Sequence, residues 1–544
     1  MAFEVRSSDL LARVGKLKTS LRSLDTPAFL PVVNPTRQPI RPSEMFEAFG
    51  CQGLTTNAYI LKKRFEKDCL DKGVHDFLGF SGVVLTDSGA YQLLRYGRVD
   101  VEPLEIARFQ EAIRSDMAVV LDVPTGWPVS RQHAEDTVDE TIRRAAVTLE
   151  ALQDRHALWV GPVQGGAYVD LVASAAEKMA KLSFDVYALG SPTAIMEAYD
   201  FETLVDMIAA AKVNLPAHKP LHLFGAGHPF MFSFAVALGC DLFDSASYAL
   251  YARQDRYMTE NGTIRVEDLQ FLPCSCPVCV KLSASELCNQ WKEERERTLA
   301  RHNLHVCLAE MQRIKQAIVE GRLWELLELR ARSHPALHRA FVKLTRYTEK
   351  MESNTPTVKR KGIFFFNTLS LRRPEVLSHH KRVMNSLAEP KDEAVLLLLP
   401  APAVKPFHAS EDFVKVRRIL ESLGARATGV DVCFYGGPFG LVPLEIDDVF
   451  PLSQYETTGD AKDEAQTVEL LRRFLRKVSY RRVLLHPDPT EISRPHMNEL
   501  KRKFSTRLTT ENMDPWGPRA LDDLKIALKE TLVRRRGRRG ATAL

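Results

Sequence analysis

The chain has 544 residues, 45% of them hydrophobic and 26% charged, which is the balance of a globular protein with more than one domain. No stretch approaches the roughly 20 apolar residues of a membrane-spanning helix. The start MAFEVRSSDL lacks the basic and apolar regions of a secretory signal, so a cytoplasmic protein with no membrane partner is expected. The formal net charge of +5 is matched by the five arginines of the run Arg534-Arg535-Arg536-Gly537-Arg538-Arg539, so the body is balanced and the excess sits in one tail compatible with a polyanionic partner.

Along the first half, short apolar runs that end in a polar residue or glycine alternate with helical stretches. Ala28–Val33 ends at Asn34, Gly53–Thr56 at Asn57, Gly82–Thr86 at Asp87 and Met117–Leu121 at Asp122. Leu158–Val163 ends at Gln164, Val186–Leu189 at Gly190, Leu221–Phe224 at Gly225, and Leu242-Phe243 at Asp244. Amphipathic segments such as 130–155 and 170–181 fall between them. Eight such units predict an α/β chain folded as a (β/α)8 TIM barrel, whose chemistry gathers at the carboxyl ends of the strands. Asp87, Asp122, Gln164 and Asp244 all lie at such ends. A single aspartate there is more often a turn or cap residue; several on one rim point to a site. Gly165-Gly166 and Gly225-Ala226-Gly227 withhold side chains where a planar ligand can lie, although tight turns explain them equally well.

Beyond the eighth run, Cys274, Cys276 and Cys279 form a CxCxxC loop, and Arg301-His302-Asn303-Leu304-His305 offers a fourth ligand at either histidine. Three thiolates and an imidazole fill the tetrahedron of a structural Zn2+ site with no open position. Nine cysteines are an odd number, and three already stand at metal spacing, so a reducing compartment fits better than a disulfide framework. The metal-binding insertion is expected at about 270–320 inside a barrel domain spanning 1–350. A helix over 299–321 and a charged helical stretch over 323–352 close that domain. The segment 351–361, with Ser353-Asn354-Thr355-Pro356-Thr357, reads as a linker. From 362 to 533 a second α/β domain is expected, with strands at 363–366, 395–399, 430–435 and 482–485 and helices at 410–423 and 463–478. The basic tail is 534–544.

Asp87-Ser88-Gly89-Ala90-Tyr91-Gln92, Val163-Gln164-Gly165-Gly166, Asp241-Leu242-Phe243-Asp244-Ser245-Ala246 and Cys274-Ser275-Cys276-Pro277-Val278-Cys279 resemble the signatures of tRNA-guanine transglycosylases, the first and third in wording similar to the archaeal branch. The resemblance covers about residues 1–350. It implies exchange of guanine at position 15 of the tRNA D arm for 7-cyano-7-deazaguanine, on the way to archaeosine. Asp244 would be the nucleophile and Asp87 the acid/base. Asp122, Tyr91, Gln164 and the backbone of Leu189 and Gly190 would bind the base. Cys274, Cys276, Cys279 and His302 would hold zinc without a catalytic role. A homodimer through the zinc region is a further implication.

Arg373-Pro374-Glu375-Val376 and Leu441-Val442-Pro443-Leu444-Glu445 are similar to accessory domains shared with archaeosine synthases. A synthase that attaches lysine to the inserted base is therefore one alternative, and a non-catalytic, zinc-structured RNA-binding protein another. The lysine-bearing PCSxxKPY motif of the synthases survives only as Lys405-Pro406, with Ala401-Pro402 in place of its Cys-Ser pair, and both barrel carboxylates are present. Lys405 is accordingly expected to be a surface lysine with nothing nearby to depress its pKa. The β-rich RNA-binding PUA domain of full-length archaeal relatives is not recognisable. Its grip on tRNA would pass to a separate PUA-bearing subunit or to the arginine tail.

Overall fold

The first strand-forming residues lie ahead of the barrel repeat. In the computed structural model, which describes residues 2–90, 101–387, 391–512 and 514–532, the chain opens with β1 (Phe3–Asp9), β2 (Ala12–Lys18) and β3 (Ser23–Thr26), an antiparallel sheet with a bulge between Val5 and Ser7. Its sequence carries no strand–helix alternation, so the barrel pattern passes over it. Phe3, Leu17 and Leu24 join Ala28, Leu30, Val83 and Leu85 in one buried cluster, so this sheet closes the amino-terminal end of the barrel.

The chain divides into two compact units, 1–356 and 357–544. In the first, β4 (Ala28–Val33), β5 (Gly53–Asn57), β6 (Val83–Asp87), β7 (Met117–Val119), β8 (Leu158–Val163), β9 (Val186–Leu189), β10 (Leu221–Leu223) and β11 (Leu242–Ser245) close into a parallel barrel in chain order. Successive strand residues face opposite sides, so alternate positions line the interior. Val83 and Leu85 on β6, Met117 and Val119 on β7, Val186 and Ala188 on β9, and Leu242 on β11 fill it. Burying each larger aliphatic side chain there contributes about 1.5–3 kcal/mol. Asp87 and Asp244 take the next inward position on their strands. A carboxylate deeper in the stack would lose its hydration without a partner; at the rim it stays within reach of a ligand. β7 stops at Val119, short of the expected Leu121, so Asp122 stands beyond the strand rather than at its last residue.

After β11 come a helix (Ser247–Arg253) and a hairpin of β12 (Arg256–Thr259) and β13 (Gly262–Arg265). The cysteine loop and a long helix, Lys292–Glu320, follow. The helix begins seven residues before the apolar periodicity predicted, because its first turns carry Lys292, Glu293 and Glu294 rather than a hydrophobic stripe. Acidic residues at the amino end suit the helix dipole. Gly321 ends it in the left-handed region (φ 73°), donating its N–H to the carbonyls of Ala317 and Ile318.

In the second unit, the sheet order is β17 (Gly440–Pro443), β16 (Val430–Gly436), β15 (Lys391–Pro400), β19 (Tyr480–Leu485), β20 (Arg507–Leu508). Only β17 is antiparallel to its neighbour. The run Val395–Leu399 is apolar throughout because β15 is covered on both faces. Val395, Leu397 and Leu399 pack into one core cluster, Leu396 and Leu398 into another. The predicted strand at 363 forms as β14 (Ile363–Phe365) but pairs with β18 (Tyr455–Thr457) in a separate two-stranded sheet. Among the described residues, no helix is long and apolar enough to cross a membrane.

Candidate functional site

Three carboxylates, two on strands and one in the loop after β7, meet at the carboxyl rim of the barrel. Asp244, on β11, accepts two hydrogen bonds on one oxygen: Oδ1 lies 2.9 Å from His222 Nε2 and 3.0 Å from the Gly225 N–H. Among the described residues, no donor engages Oδ2. The Gly225 donor is presented by a turn that only glycine fits: its φ is 63°, and a Cβ there would come within 2.6 Å of Thr193 Oγ1.

Asp87 lies across the rim, on the strand whose last residue pairs with Asn57. Asn57 Nδ2 donates to its Oδ2 at 3.2 Å, and the Gly89 N–H also donates to the carboxylate. Burial, then the negative charges of Asp122 and Asp244, push its pKa up to about 7, and the two donors offset only part of this. Asp122 is 3% exposed, and burial raises it to about 6 against the pull of Gln164. Gln164 Nε2 donates to Asp122 Oδ2 at 2.5 Å. Its Oε1 accepts from the Thr125 N–H (3.1 Å) and Ser191 Oγ (2.8 Å), which fixes the amide with its N–H2 towards Asp122. Gly190 has no room for a side chain, since a Cβ would stand 2.2 Å from Gln164 Nε2. The backbone of this segment is partly engaged in the barrel itself: Gly190 N–H donates to Val163 O, and Leu189 O accepts from Phe224 N–H. Tyr91 lies outside the described residues.

Carboxyls that titrate near neutrality can take and return a proton during a reaction. An adjacent carboxylate with one oxygen fixed and the other open can form a covalent bond. The raised values carry a thermodynamic consequence. Asp87 ordinarily ionises at 3.8 but in the fold keeps its proton to about pH 7, so stability falls as pH rises through that window. Asp87→Asn is therefore expected to melt above the wild type at pH 8, by about 2–4 kcal/mol in unfolding free energy. The gap should close towards pH 4. Thermal melts at both pH values check this; equal stability at pH 8 would contradict the raised value.

Cys274, Cys276, Cys279 and His302 bring one ligand atom each within 4.8 Å of the others, a group that could hold a metal ion. Cys276 and Cys279 sulfurs are 3.6 Å apart, and His302 Nδ1 is 3.6 Å and 3.3 Å from them. Tetrahedral bonds of about 2.3 Å to sulfur and 2.0–2.1 Å to nitrogen require edges of about 3.8 Å and 3.5 Å, so the donor set fits the ion. His302 Nε2 is 2.8 Å from Met258 O, which fixes that nitrogen as the donor and frees Nδ1 for the metal. Tyr257 stacks on the same ring at 3.7 Å. His305, equally available by spacing, instead lies 4.5 Å from the Phe49 ring.

Two partners of the carboxylates escape a reading of strand ends. His222 is hidden between Leu221 and Leu223 in a strand that reads as purely structural, and Asn57 reads as a strand terminator. The histidine inside an apolar run was the available signal. In the second unit, Lys405 differs from expectation. It is half-buried, its Nζ lies 4.1 Å from the centre of the Tyr455 ring, and burial lowers its pKa, with Glu456 opposing.

The sequence model of the family described as Queuine tRNA-ribosyltransferase matches residues 8–336, and a Domain of unknown function (DUF5591) matches residues 376–528. A tRNA-guanine(15) transglycosylase of Methanocaldococcus jannaschii is 41% identical over 464 residues, covering 84% of this chain and 68% of the relative. Proteins with the same name from Aeropyrum pernix (42% over 486 residues; 86% and 92%) and Saccharolobus solfataricus (39% over 495 residues; 89% and 96%) align over most of their own length.

Proposed function

This chain belongs to the tRNA-guanine transglycosylase family, and we propose that it exchanges guanine at position 15 of the tRNA D arm for 7-cyano-7-deazaguanine in archaeosine formation. The observation that carries the reading is the rim itself, where Asp244 has one oxygen held and one open and Asp87 is raised to about 7 beside it.

In this reading Asp244 Oδ2 attacks C1′ of the nucleotide. The glycosidic bond breaks, and guanine leaves with a proton from Asp87. The incoming base then returns a proton to Asp87 while its ring nitrogen attacks C1′ and releases the aspartyl ester. Two inversions give net retention. Asp122, with one oxygen on Gln164, offers the other to the ring N–H and exocyclic amine of a guanine-like base. Adenine would leave that carboxylate unpaired, which is the basis of exclusion. Tyr91 stacks on the base, and Leu189 and Gly190 complete the pocket. Zinc bound by Cys274, Cys276, Cys279 and His302 supplies structure alone. Phe271, Val280 and Trp291 are each more than 60% exposed around that cluster, which suits a homodimer through the zinc region.

The direct test is exchange of labelled guanine into tRNA, chased by 7-cyano-7-deazaguanine. Incorporation at position 15 is expected; no exchange of either base would refute the reading.

Reaching a nucleotide inside the folded tRNA core costs pairing and stacking energy, a few kcal/mol per base. Phosphate contacts elsewhere must offset it. The arginine tail, outside the described residues, is proposed as one source, and a separate PUA-bearing subunit as the other. Each phosphate neutralised on single-stranded RNA contributes about −0.7 to the salt slope. Deleting the residues after Val533 is expected to weaken tRNA binding and flatten that slope by several units, with guanine affinity unchanged. An unchanged slope in a salt titration would favour the separate subunit.

A further inference from the structure

β10 pairs with β9 through His222↔Ala188 and with β11 through His222↔Leu242. Ala188 and Leu242 belong to the apolar cluster that fills the barrel, so His222 takes a place in that inner layer and is 0% exposed. A leucine or phenylalanine would pack there without losing hydration. The imidazole spends its polar capacity on one contact, Nε2 to Asp244 Oδ1 at 2.9 Å. Nδ1 is buried with no protein partner among the described residues, and the ring edge packs against Phe224 at 4.8 Å. A hydrogen bond to a carboxylate puts a proton on Nε2, which makes the imidazole the donor. His222 therefore meets Asp244 through Nε2.

We propose that His222 is a positioning residue for Asp244, acting with the Gly225 N–H to hold Oδ1 so that Oδ2 faces the ribose. The inference rests on the reading of Asp244 as the nucleophile. An aspartate carboxylate turns freely about its last bond, because that torsion is broad and nearly two-fold. Two donors from different directions, both on Oδ1, remove this freedom and decide which oxygen is presented. The neighbouring strand supplies a side-chain donor and the turn beyond it a backbone N–H, so the carboxylate is fixed by the barrel rather than by substrate.

The test compares His222→Phe, which keeps the ring volume without a donor, with His222→Gln, whose amide reaches the Nε2 position, and His222→Asn, whose amide does not. His222→Phe and His222→Asn are expected to lower kcat and the single-turnover rate of covalent tRNA adduct formation by about 10–100-fold, below the full effect of losing a lone donor because Gly225 remains. KM for tRNA and for the base should stay within about 2-fold, and His222→Gln should recover most of the rate. Equal rates for the Gln and Asn variants, or a wild-type rate for His222→Phe, would overturn the proposal. So would a loss confined to KM. If His222→Phe fails to fold, the Gln and Asn pair still decides. A wild-type enzyme that forms no adduct removes Asp244 as nucleophile and this inference with it, whereas normal adduct formation in every variant removes this inference alone.

Discussion

Asp244→Ala is expected to abolish the denaturation-resistant complex between protein and tRNA. In the proposed mechanism that complex is an ester between Oδ2 and C1′, and the alternatives on the rim are committed elsewhere. Asp122 is tied to Gln164, and Asp87 keeps its proton to about pH 7. Asp87→Ala should still fold, since it removes a carboxyl whose ionisation destabilises the native state, but turnover should fall by roughly 10²–10⁴-fold if it supplies only proton transfer. Denaturing gel analysis of trapped tRNA, with steady-state exchange in parallel, separates the two roles. An adduct that persists in Asp244→Ala would reverse the assignment. A full-speed Asp87→Ala would leave the leaving base without its acid.

Removing the metal should act on stability before it acts on chemistry. Zinc held by the four ligands is expected at one ion per chain, and Cys276→Ser should lose it. In small zinc domains such sites contribute about 10–16 kcal/mol of binding free energy, only part of which is felt here because a folded barrel frames the site. The link to that barrel is traceable. His302 bonds Met258 O, and Asn303 beside it accepts from Met258 N–H and donates to Tyr248 O. The Tyr248 hydroxyl donates to Val32 O near the end of β4. Loss of metal loosens this chain first, so Cys276→Ser should melt several degrees lower, with exchange lost only as the protein unfolds. Metal analysis and a melting curve check it. No stoichiometric zinc, or a Cys276→Ser protein with full zinc and unchanged melting, would reject the site.

A repeat of local patterns was enough to read the barrel from the sequence. Eight apolar runs each carry their own stop, and a strand buried on both faces, such as Val395–Leu399, declares itself by having no polar residue. Asp87, Gln164 and Asp244 were legible because they are those stops, and the cysteines because metal spacing lies within six residues of one loop. What stayed hidden depends on partners distant in the chain. His222 looks like filler until barrel closure sets β10 beside β11 and brings it against Asp244, 22 positions away. The same closure puts Asp122 against Gln164 and gathers enough buried negative charge to raise Asp87, which no spacing reveals. His302 and His305 are one helical turn apart, and only the packing of the long helix turns one to the thiols and the other to Phe49. Lys405 reads as a surface residue until the strand 50 residues later lays Tyr455 beneath it. Periodicity is a property of neighbours along the chain, so the sequence by itself determined the elements and their order. Hydrogen bonds, burial and field effects act between neighbours in space, and these only the tertiary structure decided.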